Sequence, residues 1–229
     1  MGSEMCIRDR DIFGAAFLLK ASFRYFPKSS IFLTVVDPGV GTERYPIIIR
    51  TRDYFFVGPD NGVLSLAASE DKIKEIVRIE NKKYILESVS DTFHGRDIFA
   101  PASAYLSRGK SVSCFGQRLS AIKHIDLPEP TINKNILKGE VVYIDRFGNL
   151  VTNIPRDLFV QFIEDKDFQI QIQDKKIDSI STSYQEVKGG EPLAIFGSFG
   201  YLEISVNQGS AEEYFNADRA EGVWVVKYI

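Results

Sequence analysis

The sequence offers little from which to build a metal centre or a covalent scaffold. Its 229 residues include two cysteines, Cys6 and Cys114, and two histidines, His94 and His124. No CxxC or HxxxH pair results, which argues against a structural zinc site. Two thiols so far apart also argue against a disulfide framework. Long hydrophobic runs are missing too. Apolar stretches such as residues 31–36 and 223–226 fall far short of the roughly 20 residues a membrane-crossing helix needs. With no cleavable signal pattern visible, a cytoplasmic protein is expected. Nor is there a surplus of positive charge: 28 Lys and Arg stand against 31 Asp and Glu. Without a basic stripe, nucleic acid is not an expected partner. What is present is 44% hydrophobic residues, enough for one substantial core or two smaller ones.

Residues 1–10, MGSEMCIRDR, have neither helical nor strand periodicity and resemble translated sequencing adapter. They are read as a non-native segment, and no function is placed on Cys6. From 12 to 26 the apolar residues fall mostly at helical spacing, and Pro27 ends the run. IFLTVVD (31–37) is a continuous β-branched run closed by Pro-Gly. It reads as a buried strand of a parallel sheet, whose carboxyl end is where α/β folds place chemistry. Strand-like runs at 46–51, 54–57 and 73–79 alternate with helical runs starting at 64 and 97. This predicts an α/β domain over 11–124. Residues 125–138 carry two prolines and no periodicity, the pattern of a linker. Beyond 139, short β-rich runs separated by Gly, Asn, Asp and Ser predict an all-β domain over 139–229, a sandwich or small barrel.

Four clusters surround ionisable residues with turn formers. DPGVGTER (37–44) folds tightly after its strand and brings Arg44 back towards Asp37; the same spacing also fits an ion pair that only pins a loop. GPDNG (58–62) holds Asp60 and Asn61 in what is also ordinary turn chemistry. TFHGRD (92–97) puts His94 in a Gly-flanked turn before a helix, where an imidazole can face a cleft or simply be a satisfied loop residue. DRFGNLVTNI (145–154) displays Asp145, Asn149 and Asn153, suited to hydrogen-bonding ribose hydroxyls or an amino acid, and equally common in hairpin turns.

In this order, VVDPGVGTER, GPDNGVLS, TFHGRDIFAPASAYL, YIDRFGNLVTNI and FGSFGYLEISVNQGSA (196–211) resemble the adenosine-forming S-adenosyl-L-methionine hydrolases, or SAM hydroxide adenosyltransferases, relatives of the fluorinase and chlorinase. The resemblance runs from about residue 11 to 229. It implies a Rossmann-like N-terminal domain, a smaller C-terminal β-barrel, and a homotrimer with sites between subunits. The implied reaction is displacement of methionine from the ribose 5' carbon by water or hydroxide, with no metal and no cofactor, S-adenosylmethionine being the substrate. Asp37, Arg44 and His94 become the catalytic set: Arg44 favouring hydroxide, His94 holding or deprotonating the water, Asp37 orienting both. Asp145, Asn149, Ser198, Glu203, Val206 and Asn207 become substrate contacts, with Asp60 and Asn61 around them. One departure stands out. Family members begin with a strand ending in a T-D-F-G-like turn, which this chain lacks before its first helix. That predicts a truncated sheet with an exposed edge and weakened folding, the full-length parent being the enzyme and the polypeptide as written being expected either to lose activity or to aggregate. Two other readings remain: a protein that binds adenosine or S-adenosylmethionine without turnover, and a halogenase-type relative using chloride.

Overall fold

The computed structural model describes residues 11–228; the segment read as non-native, with Cys6, lies outside them. The chain divides between Asp126 and Leu127 into two compact units.

The N-terminal unit is built on a four-stranded sheet, β1 (Ile31–Leu33), β2 (Pro46–Arg50), β3 (Phe55–Pro59) and β4 (Glu75–Arg78), in the order β1-β3-β2-β4. Strand alternation decides its layers. On β2, Ile47 and Ile49 pack with Ala15 and Leu19 of α1 (Ile12–Ser22) and Ala67 of α2 (Ser65–Glu70). Ile48, between them, packs on the opposite side with Phe99, and with Ala102 and Leu106 of α3 (Ala100–Ser107). An α/β layering results, as expected.

The parallel sheet does not. Only β1 and β3 run parallel, while β2 pairs antiparallel with both β3 and β4. The link between β2 and β3 is residues 51–54, too short for a parallel crossover and long enough for a hairpin. The buried strand expected over 31–37 is corrected as well. Only its first residues form β1, which is an edge strand paired to β3 alone, and Leu33 and Val35 are 44% and 40% exposed. A continuous apolar run signals burial only where both faces and both edges are covered.

The C-terminal unit is a nine-stranded curled sheet. Its strands are β5 (Thr131–Asn133), β6 (Ile136–Ile144), β7 (Leu150–Pro155), β8 (Phe168–Ile172), β9 (Lys175–Ile177), β10 (Ile180–Ser181), β11 (Pro192–Phe196), β12 (Tyr201–Val206) and β13 (Gly222–Lys227). The long β6 pairs with β7 towards one end and with β13 and β5 towards the other, so the sheet curls about it into a half-barrel. Leu137, Val141, Leu150, Ile154, Ile204 and Val223 fill the curl.

Two expectations are corrected here. The unit is not all-β: α4 (Arg156–Ile163) and α5 (Ala211–Phe215) lie within it, α4 burying Phe159 and Phe162. Nor are residues 125–138 a bare linker, since β5 and the start of β6 fall inside that stretch. Both helices, at eight and five residues, are too short for a helical period to stand out among flanking strands. Among the described residues no helix is long and apolar enough to cross a membrane.

Candidate active site

Two successive turns carry the chain from the end of the β1 segment back to Arg44. The Val40 N–H donates to the Asp37 carbonyl (3.2 Å) and the Thr42 N–H to that of Gly39 (3.1 Å), where the Thr42 hydroxyl also donates (2.6 Å). Pro38 sets the first turn. Gly41 has φ of 81°, and a Cβ there would lie 2.9 Å from the Asp91 carbonyl oxygen. A side chain is therefore excluded twice, by conformation and by space. This close approach seats the Asp37–Arg44 loop on the segment that leads to His94.

Arg44 closes the site. Its Nε donates to Asp37 Oδ1 at 3.0 Å and its Nη2 to Oδ2, a bidentate pair with both side chains about 95% buried. The same Nη2 stands 2.7 Å from Nδ1 of His94. A guanidinium has no acceptor to offer, so His94 Nδ1 must accept. The tautomer that makes this contact carries its proton on Nε2.

His94 owes its aim to an irregular helix start. Gly95–Phe99 forms a π-turn, in which the Ala100 N–H reaches the Gly95 carbonyl, before α3 proceeds normally. A π-turn brings residues five apart onto one side. His94 and Phe99 are five apart, and both meet Arg44: the Phe99 ring centroid lies 5.4 Å from the guanidinium carbon. Helical periodicity read from the sequence starts the helix at Asp97 and gives no sign of this extra residue.

Asp60 and Asn61 secure the segments bearing these groups. Asn61 Nδ2 donates to the Val36 carbonyl, just before Asp37 (2.8 Å), and its Oδ1 accepts from the Val63 N–H (3.2 Å). The Asp60 N–H donates to the carbonyl of Tyr45, next to Arg44, while its Oδ1 accepts from the Lys123 N–H.

In the C-terminal unit, Leu202, Ile204 and Val206 of β12 point into the core, so Glu203 and Ser205 point out of the opposite face. Glu203 is 8% exposed. Its Oε1 accepts from the Tyr184 hydroxyl (2.7 Å) and the Ser205 hydroxyl (2.9 Å). Burial, and then the Glu203 carboxylate, push the Tyr184 phenol up to about 12, with the Asp145 charge adding to the effect. Asp145 and Glu203 thus act on the same phenol. Asp145 also organises its own turn, Oδ1 accepting from the Phe147 and Asn149 N–H groups and Oδ2 from Asn149 Nδ2. Ser198 is exposed in the β11–β12 loop. Val206 has its side chain in the core. Asn207 holds the chain itself: Nδ2 donates to the Val187 carbonyl, its N–H to that of Glu191, and its own carbonyl accepts from Gly190. Tyr184 and Ser205 were not legible beforehand. A tyrosine in a polar loop carries no signal until a partner distant in sequence is known.

Chemically, the N-terminal cluster pairs a neutralised Asp–Arg couple with an imidazole whose free nitrogen is a donor, an arrangement that favours an oxygen anion or water oxygen beside it. Residues 5–116 match the family model described as SAM hydroxide adenosyltransferase N-terminal domain, and residues 139–224 match that of the C-terminal domain. The "(R)-S-adenosyl-L-methionine hydrolase" of Methanocaldococcus jannaschii is 34% identical over 227 residues, spanning 96% of this chain and 80% of that protein. A "Fluorinase" of an Actinoplanes species is 26% identical over 239 residues, covering 89% and 79%. Among solved structures, an "uncharacterized conserved protein from Thermotoga maritima" superimposes with a TM-score of 0.87 at 36% identity, covering 95% of this chain and 85% of that one.

Proposed function

The chain belongs to the SAM hydroxide adenosyltransferase family, and on that premise we propose that it cleaves S-adenosyl-L-methionine with water or hydroxide at the ribose 5' carbon, giving adenosine and L-methionine. The observation that carries the site assignment is the forked contact of Arg44 with Asp37 and His94. The sulfonium of the substrate leaves as a neutral thioether, so no general acid is needed. The protein's task is to hold one oxygen nucleophile in line with the breaking C–S bond. Of the two roles expected for His94, the geometry favours holding over deprotonating: with Nδ1 occupied as acceptor, the Nε2–H donates to the nucleophile's oxygen. That donor stabilises hydroxide over water, the proton of the water leaving to solvent before attack, and Asp37 offsets the Arg44 charge so that the site stays close to neutral. No metal or cofactor enters the proposed reaction, because the substrate brings its own activated leaving group.

We assign substrate contact to Asp145, Asn149, Glu203 and Ser198, with Val206 and Asn207 contributing backbone. Asp60 and Asn61 support the N-terminal cluster. The four-stranded layer is read as the Rossmann-like domain of this family, and the reading extends to a cytoplasmic homotrimer with sites between subunits, which light scattering of the purified protein checks.

The deciding experiment incubates the purified full-length protein with S-adenosylmethionine and separates products by chromatography. Adenosine and methionine in equal amounts are expected. Binding without product would favour the non-catalytic reading, and 5'-chloro-5'-deoxyadenosine formed only with added chloride the halogenase-type one.

A further inference from the structure

Asp97 has no part in the chemistry above, yet it is fully buried beside it. Its Oδ2 accepts from the Ser90 N–H (2.9 Å) and the Ser90 hydroxyl (2.8 Å), and its Oδ1 from Arg96 Nε (2.6 Å), with Arg96 Nη2 at 3.2 Å from Oδ2. The Ser90 hydroxyl oxygen in turn accepts from the Phe93 N–H (3.1 Å), and the Phe93 carbonyl accepts from both the Arg96 and Asp97 N–H groups (3.0 Å each). Residues 90–97 are thereby drawn into a closed loop. Asp97 is its anchor, and His94 lies between Phe93 and the π-turn.

The same loop carries the Asp91 carbonyl on which Gly41 rests. One buried carboxylate therefore bears on both halves of the Arg44–His94 contact. The paired Arg96 guanidinium and the Ser90 donors hold Asp97 well below the usual carboxylate range, so it stays charged and gripped throughout the neutral region. Closing a turn needs no more than a Ser or Asn side chain. A carboxylate with this many charge-assisted donors adds rigidity instead, at the cost of burying a charge.

We infer that Asp97 is a positioning residue: it aims the His94 ring so that Nδ1 accepts from Arg44 and the proton stays on Nε2. This rests on the hydrolase reading for its kinetic consequence, though not for its structural one.

The test uses the full-length protein and the variants Asp97→Asn and Ser90→Ala, each made in the native background and with His94→Ala. Asp97→Asn is expected to lower kcat about 10- to 100-fold, the scale of a slight misplacement of a reacting group, with KM within about twofold. Ser90→Ala should lose less in the same direction. With His94 already gone, each substitution should lower kcat by a clearly smaller factor, because most of its effect acts through that ring. If instead each lowers kcat by the same factor in both backgrounds, the role is structural and the inference falls.

A second readout is independent of turnover. The chain has only two histidines, so 15N spectra of labelled imidazoles resolve His94. A single Nε2–H tautomer is expected natively and a mixture in the variants; an unchanged tautomer in both variants overturns the inference. Should Asp97→Asn fail to fold, Ser90→Ala carries both readouts. Should the native protein release no adenosine, the hydrolase reading fails while the spectra still decide the positioning.

Discussion

Asp37 and Asp145 both stand at the end of an apolar run, each followed within a few residues by glycine, but the fold uses their carboxylates in opposite ways. Asp145 accepts from Phe147 and Asn149, two and four residues on, and so closes its own turn. Asp37 is gripped by a guanidinium seven residues away that also reaches His94, fifty residues further along. The first pattern is what turn formation alone requires. The second buries a charged pair that the loop does not need, and buried ion pairs are at best weak sources of stability. Polar side chains joined across long sequence separations are therefore the better guide to chemistry, and side chains bonded to their own turn to folding.

Substitutions at the two sites should separate along that line. Arg44→Ala leaves the Asp37 carboxylate buried without its partner. We expect kcat to fall at least about 10²-fold and stability by about 3 kcal/mol, read from product release and from denaturant unfolding. His94→Ala should lower kcat about 10²-fold and leave stability within about 1 kcal/mol, since the ring is only half-buried; unchanged turnover would remove His94 from the mechanism. Asp145→Ala should behave the other way round. Loss of its turn bonds is expected to cost about 1–2 kcal/mol and raise KM, with kcat changed by less than about threefold. A collapse of kcat with stability intact would break the contrast.

The smallest effect concerns Tyr184. Its folded-state pKa of about 12 lies above that of an unfolded tyrosine, so the folded state keeps its proton where the unfolded state begins to lose it. The phenol's contribution is complete below about pH 10 and is lost as pH rises towards 12. Tyr184→Phe should flatten that alkaline limb of the stability curve. An unaltered slope would mean that folding does not raise the Tyr184 phenol at all, by burial or by Glu203.

How much of this was readable from the sequence depends on range. The helix at 12–22, the strands β2, β3 and β4, and the strand-rich character of the chain beyond 139 follow from local apolar patterns and turn formers. The antiparallel turn of the first sheet was hidden, because strand direction is set by the length of the 51–54 link rather than by strand composition. Asp37, Arg44 and His94 were each ambiguous within their own loops, and motif order joined them before the geometry did. The π-turn, Phe99 beneath Arg44, and the Asp97–Ser90 anchor were not legible. Each depends on where a side chain lands after the helix has taken on one extra residue. Val206 and Asn207 show the converse: residues of a recognisable motif whose side chains prove to serve the core and the chain's own turns.

The most direct test of a donor-lined centre that delivers water or hydroxide to the ribose is the fate of the oxygen. Turnover of S-adenosylmethionine by the full-length protein in H2(18)O, followed by mass spectrometry of the products, should yield adenosine carrying one 18O at its 5' hydroxyl and unlabelled methionine. The label should persist, at a far lower rate, in Asp97→Asn. Adenosine without the label, or label in methionine alone, would contradict attack of water at the 5' carbon and with it the role given to Asp37, Arg44 and His94.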